Sequence, residues 1–234
     1  MTNRISFFLL SFCVFFLTAC KDRLEIQGST TIAELEGKVL SLRVFHDGDL
    51  VSIDSTRIMH GKFHFNGAAL DSVVMANLFL GDESIMPVVL DGHPLTILLN
   101  ENERKVIGSE LNDTLFAFIK RKTALDLQLA ELPRKESRMI LEGMDHDDII
   151  RQLNQEAAVL GKQEDRLVVR FIKDNMDNVL GPGVFMIVTS GFPYPVLNPQ
   201  IEELITLASP AFLEDAYVQE YIRMARDNME KMNE

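Results

Sequence analysis

The sequence predicts an α+β fold: an N-terminal antiparallel β-sandwich or barrel followed by a C-terminal α-helical bundle. Two observations carry this prediction. Residues 24–108 hold short apolar runs of period two punctuated by Gly, Asp and Asn, whereas residues 109–234 hold long runs of helical periodicity. The change falls at Gly108-Ser109, where a strand-ending glycine meets a residue type that caps helix N-termini. The expected organisation is a signal peptide over 1–19, a β-domain over 20–108 and a helical domain over 109–234.

The β-elements follow in order. Val39 to Phe45 sets Leu40, Leu42 and Val44 on one face and Ser41 and Arg43 on the other, the alternation of a half-buried strand. His46-Asp47-Gly48-Asp49 is a hairpin turn, because Gly48 tolerates positive φ. Leu50 to Met59 returns, His60-Gly61 turns again, and Lys62-Phe63-His64-Phe65 places both rings on one face. After Asn66-Gly67, the apolar runs Val73 to Leu80 and Ile85 to Asp91 flank Gly81-Asp82-Glu83, and Asp91-Gly92-His93 leads into Leu95 to Leu99. Strands of this length and spacing suggest a sandwich or barrel of about seven strands.

In the helical part, Ser109 caps a helix with the stripe Leu111, Leu115, Phe118, Ile119, continuing through Leu125, Leu129 and Leu132 until Pro133. Asp145, Asp147 and Asp148 load negative charge on the start of a second long helix, which suits the macrodipole. Its stripe is Ile149, Leu153, Ala157, Leu160, Leu167, Phe171 and Ile172; at about 1.5 Å per residue, residues 146–176 span roughly 45 Å. Gly181-Pro182-Gly183 is expected to break the chain before the apolar segment Val184 to Thr189. Asn198-Pro199 and Ser209-Pro210 each pair a cap residue with a proline at N1 and open further helices. A helical hairpin followed by smaller helices, packed as a bundle, is the expected result.

The N-terminus carries an address. Arg4 precedes an apolar run from Ile5 to Leu17, too short to span a hydrocarbon core that needs roughly 20 residues, so it is read as a secretory signal. Leu17-Thr18-Ala19-Cys20 resembles a bacterial lipobox, which implies that Cys20 is lipidated and becomes the mature N-terminus. Sulfur is the nucleophile that accepts the lipid, and several acyl chains, at about 0.8 kcal/mol per buried methylene, hold where one binds marginally. The chain has 2 cysteines, Cys13 inside the signal and Cys20. The mature part therefore lacks a disulfide and a Cys-x-x-Cys pair for thiol redox chemistry. A formal net charge of −12, which loses a further positive charge with Arg4, disfavours nucleic acid and anionic lipid headgroups as partners.

Ile26 and Gly28, Val51-Ser52-Ile53-Asp54-Ser55-Thr56, Gly61-Lys62-Phe63-His64-Phe65 with Gly67, Leu90-Asp91-Gly92 with Leu95-Thr96-Ile97, and Val106-Ile107-Gly108-Ser109 with Asn112 form one pattern. Over roughly residues 24–115 it resembles the domain of unknown function at the N-terminus of many Bacteroidetes lipoproteins, often placed ahead of a thioredoxin-like domain. The resemblance implies an exported, lipid-anchored protein and supplies no catalytic residue. Such relatives carry their redox-active cysteine pair beyond the helices, and residues 109–234 here hold no cysteine. Surface-displayed lipoproteins of that phylum often carry Lys and two acids after the lipidated cysteine; Lys21-Asp22 matches and Arg23 departs. The expected location is the outer membrane, facing the periplasm or the cell surface.

Candidate chemistry is sparse. His60 and His64 flank a turn and a strand, so they do not share a helix face as zinc ligands would. His46, Asp47 and Asp49 fit a turn, and Asp145, His146, Asp147 and Asp148 fit a helix start. Ser190-Gly191 follows Val188, so the Gly-x-Ser-x-Gly nucleophile elbow is absent, and Gly181-Pro182-Gly183 lacks the rest of a phosphate loop. No metal and no cofactor are expected. Gly191-Phe192-Pro193-Tyr194-Pro195 places two aromatics either in the bundle core or against a partner. Asp54-Ser55-Thr56, Asp71-Ser72-Val73 and Asp113-Thr114-Leu115 resemble the short O-glycosylation motif of Bacteroidetes exported proteins. The function these readings favour is a non-catalytic envelope lipoprotein held on the membrane by Cys20, a binding or structural module whose partner is an envelope protein or another cell-envelope component. The alternative is an accessory to a thioredoxin-like redox or stress system acting in trans.

Overall fold

The computed structural model describes residues 24–46, 48–67 and 70–232. Among them the period-two segments form eight strands: β1 (Ile26–Thr30), β2 (Val39–His46), β3 (Asp49–Arg57), β4 (Lys62–Phe65), β5 (Val74–Leu80), β6 (Glu83–Leu90), β7 (Leu95–Leu99) and β8 (Arg104–Ile107). They make two four-stranded sheets, in the orders β4-β1-β7-β8 and β3-β2-β5-β6. Between the sheets lies a core that includes Ile26, Leu42, Phe65, Leu78, Val88 and Ile97.

Two features depart from the sequence expectation. β1 escapes a hydrophobicity reading because Ile-Gln-Gly-Ser-Thr is mostly polar; only Ile26 and Gly28 face inward. Gly28 lies opposite Phe63 in the β1–β4 register, and a Cβ there would meet the Phe63 ring at 2.0 Å, so glycine makes room for the aromatic. The sheets are also not wholly antiparallel: β1 runs parallel to β7, from Ile26 opposite Leu95 to Thr30 opposite Leu99. Antiparallel pairing is imposed by tight hairpins, and no hairpin joins β1 to β7.

Six α-helices follow among the described residues: α1 (Glu110–Leu141), α2 (His146–Asp174), α3 (Leu180–Thr189), α4 (Pro199–Leu207), α5 (Pro210–Glu214) and α6 (Ala216–Met232). The expected caps Ser109, Asn198 and Ser209 are in place, and Asp145, expected only as helix-start charge, caps α2 as well. Ser109 Oγ accepts from Asn112 N at 3.3 Å, Asp145 Oδ1 from Asp147 N at 3.0 Å, Asn198 Oδ1 from Ile201 N at 2.9 Å and Ser209 Oγ from Phe212 N at 3.3 Å. Two proline readings are corrected. Pro133 lies inside α1, on its exposed side, where the carbonyl it leaves without an N–H partner is open to hydration. Gly181-Pro182-Gly183 forms the first turn of α3, where a missing N–H costs nothing.

The helices pack against the outer face of the second sheet. Met75 and Val89 leave that sheet to join one core with Phe118, Ile172, Val184, Phe185 and Phe212. Gly183 allows the approach, since a Cβ there would stand 2.3 Å from Met75 Sδ. At the sheet's other end Phe45 meets Tyr217 edge to face at 5.0 Å. The distal halves of α1 and α2 project from this body as a two-helix hairpin with its own small core of Met139, Ile149, Leu153 and Leu132.

Candidate functional site

The sandwich is tied to the bundle at the start of α1. Asn112 is fully buried, and its amide copies a strand: Nδ2 donates to Val89 O at 2.8 Å while Oδ1 accepts from Val89 N at 2.9 Å. The β6 edge is thereby satisfied by a side chain at that position. One turn earlier, Ser109 Oγ donates to Asp91 Oδ2 at 2.5 Å. Desolvation pushes the Asp91 carboxyl up, but the bonds from Ser109 and from the His93 N–H and ring outweigh it, and the group lies below the ordinary aspartate value. Gly108, with φ of +112° and Pro94 O at 2.4 Å from where a Cβ would stand, turns the chain between these contacts.

This junction aims the base of α1 at α2 and α3, and a cleft of about 790 Å³ opens there. Phe118, Ile119, Val168, Ile187 and Val188 supply its apolar walls, with Pro87 reaching in from β6. One lip is the segment after α3, carrying Phe192. That lip is fixed from behind: Tyr221 Oη donates to Val196 O and accepts from Val196 N, both at 3.1 Å, and Asn228 Nδ2 donates to Pro195 O at 3.0 Å. Burial raises the Tyr221 phenol, against the bond to Val196, so it remains a neutral donor. A site whose walls are held before a ligand arrives loses less order on binding.

The opposite lip is charged. Lys122 Nζ stands 2.9 Å from Asp126 Oδ1 and 2.7 Å from Glu164 Oε1. Desolvation presses the Lys122 amine down, and the two carboxylates more than restore it, leaving it above its ordinary value and firmly protonated. It is neither a nucleophile nor a base in that state. Asp165 and Gln200 complete the lip. A second trough of about 670 Å³ adjoins the cleft between α2 and α4 and shares Asp165 and Gln200 with it; its Arg166, Arg170, Lys173, Asp174 and Glu203 are of mixed sign. Apolar walls with a few convergent polar groups favour the first cleft as the site.

Of the residues that the sequence singles out, Phe192 reaches the cleft, partly buried against the bundle core, while Tyr194 is 49 % exposed beside it. Cys13, Cys20, Lys21-Asp22-Arg23 and Asp47 lie outside the described residues. His60 sits in the turn before β4, at φ of +54°, and His64 points outward from β4. Among the described residues no group of three or more His, Cys, Asp or Glu is placed to hold a metal ion. Asp54 accepts from Ser55 N at 2.7 Å and Asn66 N at 3.0 Å within β3 and its neighbouring turn, and Asp113-Thr114-Leu115 lies in α1 with Leu115 buried. Lys122, Glu164 and Asp165 carry no distinguishing signal in the sequence, since each reads as an ordinary charge on a helix surface. Among the described residues no helix is long and apolar enough to cross a membrane.

No curated protein and no solved structure matches the chain. A family model matches over 24–115, a span that ends in the second turn of α1 and so includes the Asn112 contact to β6 and the Ser109 contact to Asp91 just beyond it. The sandwich, together with the helix start that locks its edge, is thus similar to the family described as Domain of unknown function (DUF4369).

Proposed function

We propose that this chain is a lipoprotein of the bacterial cell envelope, anchored through lipid on Cys20, whose body binds a partner and catalyses no reaction. The outer membrane is its proposed site, facing the periplasm or the cell surface. The observation that carries the binding reading is the cleft: apolar walls, a lip braced by Tyr221 and Asn228, and a lysine held protonated by two carboxylates. Such a surface offers contact and charge, with no activated nucleophile beside a base.

Two experiments test it. Cys20→Ala is expected to move the protein from the membrane to the soluble fraction; retention in membranes after carbonate washing rejects the lipid anchor. Crosslinking in intact envelopes, followed by purification, is expected to recover one reproducible protein partner from the wild type and much less of it from Phe192→Ala. Equal recovery from both rejects the cleft as the binding surface. The same capture tests a second reading, an accessory to a thioredoxin-like system acting in trans, which the family resemblance favours: a partner carrying a redox-active cysteine pair supports it.

A further inference from the structure

The projecting half of α1 has two apolar faces, and α2 covers one of them. Toward α2, Leu132 and Met139 pack on Ile149 and Leu153. On the other side of the helix Thr123, Leu127, Ala130, Arg134, Ser137 and Leu141 recur at alternating steps of four and three, the spacing of a coiled-coil seam, and all six are exposed. Leu127 is 62 % exposed and Leu141 86 %, the highest value for a large apolar side chain among the described residues. A single leucine in water is ordinary, but two that lie four turns apart on one line of a helix, inside a heptad pattern, form a face that lacks its cover.

We propose that this face binds a second copy of the chain, α1 against α1 in antiparallel orientation, about a two-fold axis level with Leu132. In that register Leu127 lies over Ser137 of the second copy, Leu141 over Thr123 and Arg134 over Ala130, so each large side chain meets a small one and the helices can approach closely. The charges select the same register. Arg134 Nη1 now pairs with Glu131 Oε1 of its own helix at 2.6 Å, with both side chains well exposed. Across the axis each Arg134 also reaches Glu131 of the second copy, and two cations alternate with two carboxylates. Parallel pairing would instead set Arg134 on Arg134 and Glu131 beside Asp126, like charge against like. The same stripe serves both copies, so the contact closes at two chains. It runs about 27 Å from Thr123 to Leu141, at about 1.5 Å per residue. The inference rests neither on the lipid anchor nor on the cleft.

The test is sedimentation of the full-length chain in detergent, with interchain disulfides reporting the register in a Cys13→Ser, Cys20→Ser background. The wild type is expected to sediment as a dimer, and Leu127→Asp, a change at an exposed position, to weaken self-association at least about tenfold. Arg134→Glu, which gathers four carboxylates at the axis, should weaken it as well, and Glu131→Arg combined with Arg134→Glu should restore it. Leu127→Cys with Ser137→Cys should crosslink two copies, whereas Leu127→Cys alone should not, because the two positions 127 lie apart in an antiparallel pair. A wild type that stays monomeric at about 100 μM, where a contact of even modest affinity is populated, overturns the inference. So does a dimer that Leu127→Asp leaves intact, since another part of the chain then holds it. Crosslinking of Leu127→Cys alone overturns the antiparallel register, and a charge-swapped double variant no better than Arg134→Glu overturns the Arg134–Glu131 contact.

Discussion

The two sheets have four strands each and opposite relations to water. In β4-β1-β7-β8 the alternation is clean: Phe63, Phe65, Leu95 and Ile97 point inward while Gln27, His64 and Thr96 face solvent. In β3-β2-β5-β6 the central strand β5 and its neighbour β6 are buried on both faces, with Met75 and Val89 turned outward yet only 7 % and 0 % exposed. The difference teaches where the helices go. A strand whose outward residues are apolar needs a second cover, and the bundle supplies it by taking Met75 and Val89 into its own core.

Substitutions can break or sharpen this contrast. Met75→Ala should cost about 2–5 kcal/mol in urea unfolding, because it empties a site shared by sheet and bundle. Gln27→Ala, outward on the other sheet, should stay within about 0.5 kcal/mol. Equal effects would mean that the bundle does not rest on the sheet. Asn112→Ala, which leaves the Val89 N–H and C=O buried without partners, is expected to cost roughly 3 kcal/mol. Gly183→Ala, which pushes a methyl toward Met75 Sδ, should cost about 1–3 kcal/mol, less if the Met75 side chain swings aside. Thermal unfolding of the two glycine and methionine variants combined would show whether they act at one contact, since coupled sites do not add.

Smaller effects come from charge. The Asp91 carboxyl lies lower in the folded chain than its unfolded value of about 3.9. Its contribution to stability is therefore complete above that unfolded value and is lost as pH falls through the lower folded one. Asp91→Asn should lower stability by about 1 kcal/mol at neutral pH and flatten the acid limb of a stability–pH curve. An unchanged acid limb would show that Ser109 holds α1 to the sandwich without help from that charge. Least of all, Glu156→Gln, which breaks the Lys135–Glu156 pair across the projecting hairpin, should cost under about 1 kcal/mol.

Much of the fold was legible because its signals are local. Alternation marks β2 and β7, Gly48 marks the hairpin, and Ser109, Asp145, Asn198 and Ser209 mark helix starts, each through forces acting within a few residues. What escaped depends on distant neighbours. Nothing in Ile-Gln-Gly-Ser-Thr announces a strand until Phe63 is known to lie over Gly28. Pro133 stays helical because α2 packs beside α1, overriding a local preference. The cleft was the least legible part. Its walls come from β6, α1, α2, α3, the segment around Phe192 and the first turn of α4. Of these residues only Phe192 stands out by composition, and the ion-paired role of Lys122 emerges only when Glu164 is brought to it from the next helix.

The parallel pairing of β1 with β7 has a consequence for the order in which the molecule assembles. β1 is synthesised before every other strand described, yet its two neighbours arrive with residues 62–65 and 95–99. A nascent chain exposed only to Asn66 can zip β2 to β3 and offer β4 to β1, but the first sheet still lacks its other half. Closing so long a loop is the kind of non-local step that slows folding. Refolding of the full chain should thus be limited by β1–β7 docking, and a chain that stalls before Leu99 would carry its first strand with one edge unpaired.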